Sequence, residues 1–400
     1  MWIESTIAVK FMRQGRTQTA LIMVGISVGV SVIVFITALI LGLQSNIIAR
    51  TLGTQSHIRV QPPDEKNIVT PSREGSVALV TEDKRAQRLR SILNWQDVRD
   101  TLDTLPEIKA VSPVVSGPAF ARKGEVFKSI SILGIDPPRY EKIIPLSTNI
   151  ISGRLKVGAG DAVIGKILAD DLGLRAGNKL RIESGDGRVA VVTIAGIFEI
   201  GVRDLDARFV YVDLKQAQSL LGLYGGINLI DLTVQNLFAA DVTANRISRL
   251  TGLKAESWIE TNAQLVNALA SQSLSTSIIT FFVALSVAFG IASVLAISVT
   301  QRTREIGILR AMGIRRSQML QVFLIQGGLL GLIGSAVGAS FGYGLVMAFN
   351  VFGPKLFYIE LPTYLIGSAT AIATVVGILA ALAPAWRASR LDPVQAIRYV

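Results

Sequence analysis

The chain has 400 residues, 50% of them hydrophobic and only 17% charged, a balance outside the range of ordinary soluble domains and one that points to a membrane. It holds no cysteine and one histidine, His57, which excludes disulfide frameworks, thiolate nucleophiles and Cys- or His-rich metal centres. The net charge of +11 would suit nucleic acid, but the basic residues are placed as a topology signal and not as a binding patch, so no nucleic-acid partner is expected.

Residues 1–18 read as a short basic segment carrying Lys10, Arg13 and Arg16. A hydrocarbon core of about 30 Å needs about 20 consecutive apolar residues in helix. Residues 19–43 supply the first such run, and 274–300, 317–349 and 364–386 supply three more. The first run is too long for a signal-peptide core and lacks a small-x-small cleavage site, so it is expected to stay in the protein. None of the four runs contains Asp, Glu, Lys, Arg or His, which argues against a proton-coupled carrier or a cation channel.

Residues 44–273 are mixed in composition and rich in turn formers, and they read as one soluble α+β domain, expected in two lobes, with stalks continuing the adjoining helices over 44–52 and 262–273. Helices are expected at 97–105, 166–172 and 214–221, and strands at 190–199, 209–212 and 227–234. The polar stretch 62–84 reads as a loop or insertion.

Two enzyme-like motifs fail on context. Gly25, Ser27 and Gly29 match a nucleophile elbow, yet they lie inside an apolar run, far from His57, where Gly25 and Gly29 read better as a small-residue surface for helix packing. Residues 160–167 resemble a phosphate-binding loop, but Ile167 stands where the magnesium-ligating hydroxyl belongs. No catalytic residue, cofactor site or metal site is therefore expected in the chain.

Near the membrane ends, the first segment, residues 301–316 and residues 387–400 carry most of the Lys and Arg, against only Glu4, Glu305 and Asp392. These faces are expected in the cytoplasm with both termini, and the large domain and the short loop 350–363 outside it. The connector 301–316 places Ile306, Leu309 and Arg310 at i, i+3 and i+4, which predicts a short amphipathic helix stopping at Gly313, lying in headgroups or docking in a partner's groove. Gly327, Gly331, Gly334, Gly338 and Gly342 form a small-residue stripe on the third run, open to use within the chain or as a seam between two copies.

At this connector the sequence resembles the permeases of the MacB and LolC/LolE superfamily of ABC transporters, whose second and third spans are joined by R-E-I-x-x-L-R-x-x-G; Glu305, Ile306, Leu309, Arg310 and Gly313 stand at its positions. The likeness continues through Gln326 and Gly327, through 164–180 in the large domain, and through the closing segment 384–398. What it implies is a membrane α-helical fold with four transmembrane helices and an inserted extracytoplasmic α+β domain of the MacB-like periplasmic kind, in a bacterial inner membrane. It further implies a non-catalytic permease subunit, paired with a second copy or homologue. A separate cytosolic ABC ATPase dimer, which binds the ATP and magnesium, would grip Arg304, Glu305, Ile306, Leu309, Arg310, Met312 and Gly313. The reading closest to the motifs is release of lipoproteins to a periplasmic carrier. MacB-like export of hydrophobic compounds, peptides or glycolipids through an adaptor, and FtsX-like signalling, are the alternatives.

Overall fold

The computed structural model describes residues 2–63, 89–354 and 357–392. Apart from Pro62 and Pro63, the expected insertion at 62–84 lies outside the described residues, as do 393–398 of the family-like closing segment. The helices are, in chain order, α1 (Trp2–Gln14), α2 (Arg16–Leu52), α3 (Trp95–Asp103), α4 (Pro137–Tyr140), α5 (Lys166–Asp171), α6 (Arg203–Arg208), α7 (Leu214–Leu221), α8 (Ala240–Thr251), α9 (Trp258–Thr261), α10 (Ala263–Gln301), α11 (Thr303–Ala311), α12 (Arg316–Phe352) and α13 (Thr363–Ser389). The strands are β1 (Ile58–Gln61), β2 (Ile108–Lys123), β3 (Val126–Ile135), β4 (Ile150–Gly153), β5 (Asp161–Gly165), β6 (Lys179–Ser184), β7 (Val189–Phe198), β8 (Phe209–Asp213), β9 (Leu229–Val234) and β10 (Lys254–Ser257). Two compact units result: Arg50–Val266, and Met1–Ala49 together with Asn267–Val400.

The unit Arg50–Val266 is built on one ten-stranded sheet in the order β10-β1-β9-β2-β3-β8-β5-β7-β4, with β6 paired to β2 and β7. Strand β2 runs through both halves of this sheet and joins them. Its first part pairs with β9 up to Val114 opposite Leu229, its last part with β6 from Ala119 opposite Ser184, and β3 accompanies it from Val114 to Lys123. Two prolines break the usual strand pattern, and each sits where no ladder hydrogen bond is required. Pro113 lies just past the last β3 pair, and Pro118 lies in the gap between the β9 and β6 ladders. In that gap the Asn228 side chain completes the strand: its Oδ1 accepts the Ser116 N–H at 2.8 Å and its Nδ2 donates to the Ser116 carbonyl at 2.6 Å.

Burial follows the strands' positions. Residues 110–115 of β2 are buried on both faces, whereas 117–121 alternate buried and exposed as one face opens to solvent. One face of the centre closes over Tyr140, Phe198 and Tyr211, whose rings pack at 5.8 Å and 5.4 Å between centroids. Burial raises the pKa of Tyr211 and of Tyr140, keeping both phenols neutral.

The other unit contains α1, α2 and α10–α13. Among the described residues four helices are long and apolar enough to cross a membrane: Arg16–Leu52, Ala263–Gln301, Arg316–Phe352 and Thr363–Ser389. At 1.5 Å per residue, the helices of 37 and 39 residues run to about 55 Å, well beyond the hydrocarbon core. Their shared core joins Ile26, Val30 and Val34 of α2, Ile291 and Leu295 of α10, Leu330 of α12 and Ala373 and Ala381 of α13.

The glycine stripe of α12 is wholly buried within this one chain, and its alternative use as a seam between copies is corrected accordingly. Gly327 and Gly331 let α13 approach so closely that an added Cβ would meet the Gly377 carbonyl oxygen at 2.5 Å and that of Ala373 at 2.8 Å. Gly334, Gly338 and Gly342 face α2 instead, where a Cβ would meet Ile26 at 2.8 Å, the Ser27 carbonyl at 2.5 Å and Val34 at 3.1 Å. Small residues permit such backbone contact between apolar helices, where dispersion and not water release drives association. Ser27 adds a hydrogen bond from its Oγ to the Gly334 carbonyl at 2.9 Å. On α2, Gly29 faces Val287 of α10, while Gly25 meets nothing within 4 Å. The packing expected of Gly25 is thus not made inside the chain.

Candidate functional site

Two places stand out in the helical unit: the connector between α10 and α12, and a cleft between α2, α10 and α13.

The connector is α11, entered after Arg302 breaks α10 and its guanidinium settles over the Phe11 ring at 4.8 Å. The Thr303 hydroxyl donates to the Thr300 carbonyl at 2.8 Å across the break. The helix closes in a Schellman pattern: the Gly313 N–H bonds the Arg310 carbonyl at 3.2 Å, the Ile314 N–H bonds that of Leu309 at 3.2 Å, and Gly313 takes φ +100°. A left-handed residue is required at that position, and glycine adopts it without a Cβ clash.

The face that the connector turns inward corrects the sequence reading. Ile306 is fully buried, packed with Phe11, Val299, Met319, Phe323 and Ala385, and Leu309 and Ile314 lie against the edge of the same cluster. Arg310 donates from Nη1 to the Ser389 carbonyl at 2.6 Å. Ile306, Leu309 and Arg310 therefore hold the connector to its own protein; Ile306 is closed to a partner, while Leu309 and Arg310 remain partly exposed. The outward face carries Arg304, Glu305, Ile308, Met312 and Gly313, with Ile308 44% and Met312 78% exposed. Ile308 was missed in the sequence; once the inward face is known, its place two residues after Ile306 is the signal.

Helix α1 was also missed. It packs on α12 through Phe11 against Phe323, 6.2 Å between centroids. Gln318 ties the two together, accepting the Arg315 N–H at 3.0 Å and donating to Glu4 at 3.1 Å.

The cleft opens near Gln44 of α2 and Ser273 of α10 and has a volume of about 380 Å³, within the span of about 300–1,000 Å³ usual for small-ligand pockets. Ser273, Thr276, Ser277 and Thr37 line it, and a small apolar recess of about 20 Å³ adjoins it past Thr280, between Val287, Ala373 and Val376. The hydroxyls of Thr276 and Ser277 are occupied by their own helix, donating to Gln272 at 2.9 Å and Ser273 at 3.0 Å. No lining side chain is charged. Such a lining suits a hydrocarbon chain and offers nothing to an ion.

The enzyme-like motifs are taken up structurally. Lys166 Nζ bonds Glu199 at 2.8 Å. Gly165 packs its Cα face against the backbone of Asp206, whose carboxylate accepts the N–H groups of Ile200 at 2.9 Å and Gly201 at 3.0 Å. His57 Nδ1 accepts the Val234 N–H at 3.1 Å. Among the described residues no group of three or more His, Asp or Glu is arranged to hold a metal ion.

Comparison with known proteins covers nearly the whole chain. The MacB-like periplasmic core domain family matches residues 19–250, and the FtsX-like permease C-terminal family matches 277–393. The lipoprotein-releasing system transmembrane protein LolC of Xylella fastidiosa is 26% identical over 407 residues, covering 94% of this chain and 92% of that protein. The macrolide export ATP-binding/permease protein MacB of Shewanella oneidensis is 27% identical over 429 residues, covering 98% of this chain and 60% of that one. Among solved structures, the periplasmic region of MacB from Actinobacillus actinomycetemcomitans is similar at 14% identity and a TM-score of 0.37, over 55% of this chain and 95% of that one.

Proposed function

Because the chain belongs to the MacB-like periplasmic core domain family and ends in an FtsX-like permease domain, we propose that this ABC transporter permease uses ATP hydrolysis by a separate subunit to release lipoproteins from the bacterial inner membrane. Four helices cross the membrane in this reading, with both termini and α11 in the cytoplasm and the ten-stranded domain outside. The chain contributes no catalytic group. ATP and magnesium belong to the partner ATPase, which grips the outward face of α11 through Ile308 and Met312, with Arg304 and Glu305 at its edge.

The observation that carries the substrate class is the cleft among α2, α10 and α13. Its uncharged, largely apolar lining suits an acyl chain of a lipid-anchored protein drawn sideways out of the bilayer, as such a lining is compatible with hydrocarbon and hostile to ions. The LolC relative, matched along almost its full length, favours the same substrate.

The test is reconstitution of the chain with its ATPase and any second permease subunit in lipid nanodiscs. A triacylated lipoprotein is expected to stimulate ATP hydrolysis and to pass to a soluble carrier. Thr280→Trp, which places an indole at the inner wall of the cleft, is expected to remove that stimulation while basal hydrolysis persists. Robust hydrolysis that ignores lipoprotein in the parent protein would shift the assignment to export of other hydrophobic compounds or to signalling.

A further inference from the structure

A second groove, separate from the cleft, lies at the opposite end of the helical unit. It arises where the chain breaks at Gly15 between α1 and α2. Held on α12 by Phe11 and Phe323, α1 leaves a gap of about 390 Å³ whose walls include Val9 and Met12 of α1, Ala20 and Met23 of α2, and Leu329 and Ile333 of α12. Arg13 and Arg16 line the same groove. Both are exposed, and among the described residues neither makes an ion pair or hydrogen bond.

We propose that this groove binds an anionic phospholipid, its phosphate between Arg13 and Arg16 and one acyl chain along Met12, Met23 and Leu329. The proposal rests on the reading of α2 and α12 as membrane-crossing helices. Charge complementarity selects the occupant. Two unpaired guanidiniums at the mouth require an anion, and the planar donor fork of arginine matches phosphate oxygens. The apolar walls require hydrocarbon in the same molecule. A soluble phosphate satisfies the first condition only, and an apolar helix of another protein satisfies the second only. Basic residues beside the apolar end of a span are well placed for such a headgroup.

Native mass spectrometry of the detergent-purified full chain, titrated with phosphatidylglycerol or phosphatidylethanolamine, tests this. The parent protein is expected to bind phosphatidylglycerol about tenfold more tightly, a difference of about 1.4 kcal/mol. Arg13→Gln with Arg16→Gln is expected to abolish the preference. Ala20→Trp, which leaves both arginines and fills the groove, is expected to weaken binding of both lipids. Equal binding of the two lipids by the parent, an undiminished preference in the double variant, or displacement of the lipid by glycerol phosphate alone would overturn the proposal. Recovery of the chain from the soluble fraction of cells would instead overturn the membrane-permease reading on which it rests. Failure of lipoprotein stimulation in nanodiscs bears only on the substrate and leaves this lipid measurement to stand by itself.

Discussion

Arg310 binds the carbonyl oxygen of Ser389 at 2.6 Å, so the connector helix is fastened to the end of the last helix of the same chain. Hydrogen bonds to a charged group contribute about 1.5–3 kcal/mol. Arg310→Ala is expected to lower the thermal unfolding midpoint in detergent and to expose the connector to limited proteolysis. An unchanged melting curve and digestion pattern would show the bond to be dispensable.

Inward and outward residues of the connector should separate cleanly. Ile306→Ala removes a fully buried side chain and is expected to cost about 2–5 kcal/mol of stability. Ile308→Glu or Met312→Glu touches only exposed positions and is expected to leave stability within about 0.5 kcal/mol while abolishing co-purification with the ATPase. Retention of the ATPase by both charged variants would remove the outward face from the proposed contact.

Glycine positions along the helices give a graded test. Gly338→Leu drives a side chain into the Ser27 backbone, whereas Gly25→Leu enters open space. The first is expected to reduce folded yield severely and the second to leave the monomer's stability unchanged, as read by size-exclusion chromatography and thermal melting. Equal effects would contradict the close approach of α12 to α2.

His57 makes the stability of the soluble domain depend on pH. Burial lowers its pKa below the ordinary 6.5, because the charged ring loses solvation. The unfolded chain then binds the proton more readily than the folded one, so stability is complete above pH 6.5, declines as the pH falls through that value, and levels off below the lowered folded pKa. Melting midpoints of parent and His57→Gln between pH 7.5 and about 5 should show a shallower slope in the variant; parallel slopes would assign the dependence to other groups.

The membrane-length helices were legible because a run of about 20 residues without charge has one main structural solution. The connector helix and its Gly313 stop were legible for a similar reason, since periodicity and a left-handed glycine are local signals. The direction in which that helix faces was not, because Ile306 and Ile308 are chemically alike and only packing against Phe11 and Phe323 distinguishes them. Strand β2 was hidden by Pro113 and Pro118. Their tolerance depends on where β3 ends and on the Asn228 side chain filling a gap, both facts of tertiary structure. Helix α1 was hidden because its apolar positions Ala8 and Phe11 are interspersed with charges and acquire meaning only beside α12.

The clasp between α12 and α13 has a mechanical consequence. Within their length the backbones touch at Gly327 and Gly377. Near the C-terminal end of α12, Asn350 accepts the Ile359 N–H at 2.9 Å and donates to the Ile359 carbonyl at 3.0 Å. Two helices in backbone contact and tied at a second point resist bending apart. A force applied at the outward face of α11 therefore meets a braced pair on the α12 side, whereas α10, the helix with the least of its apolar window buried, has less support from its neighbours and is the one freer to tilt.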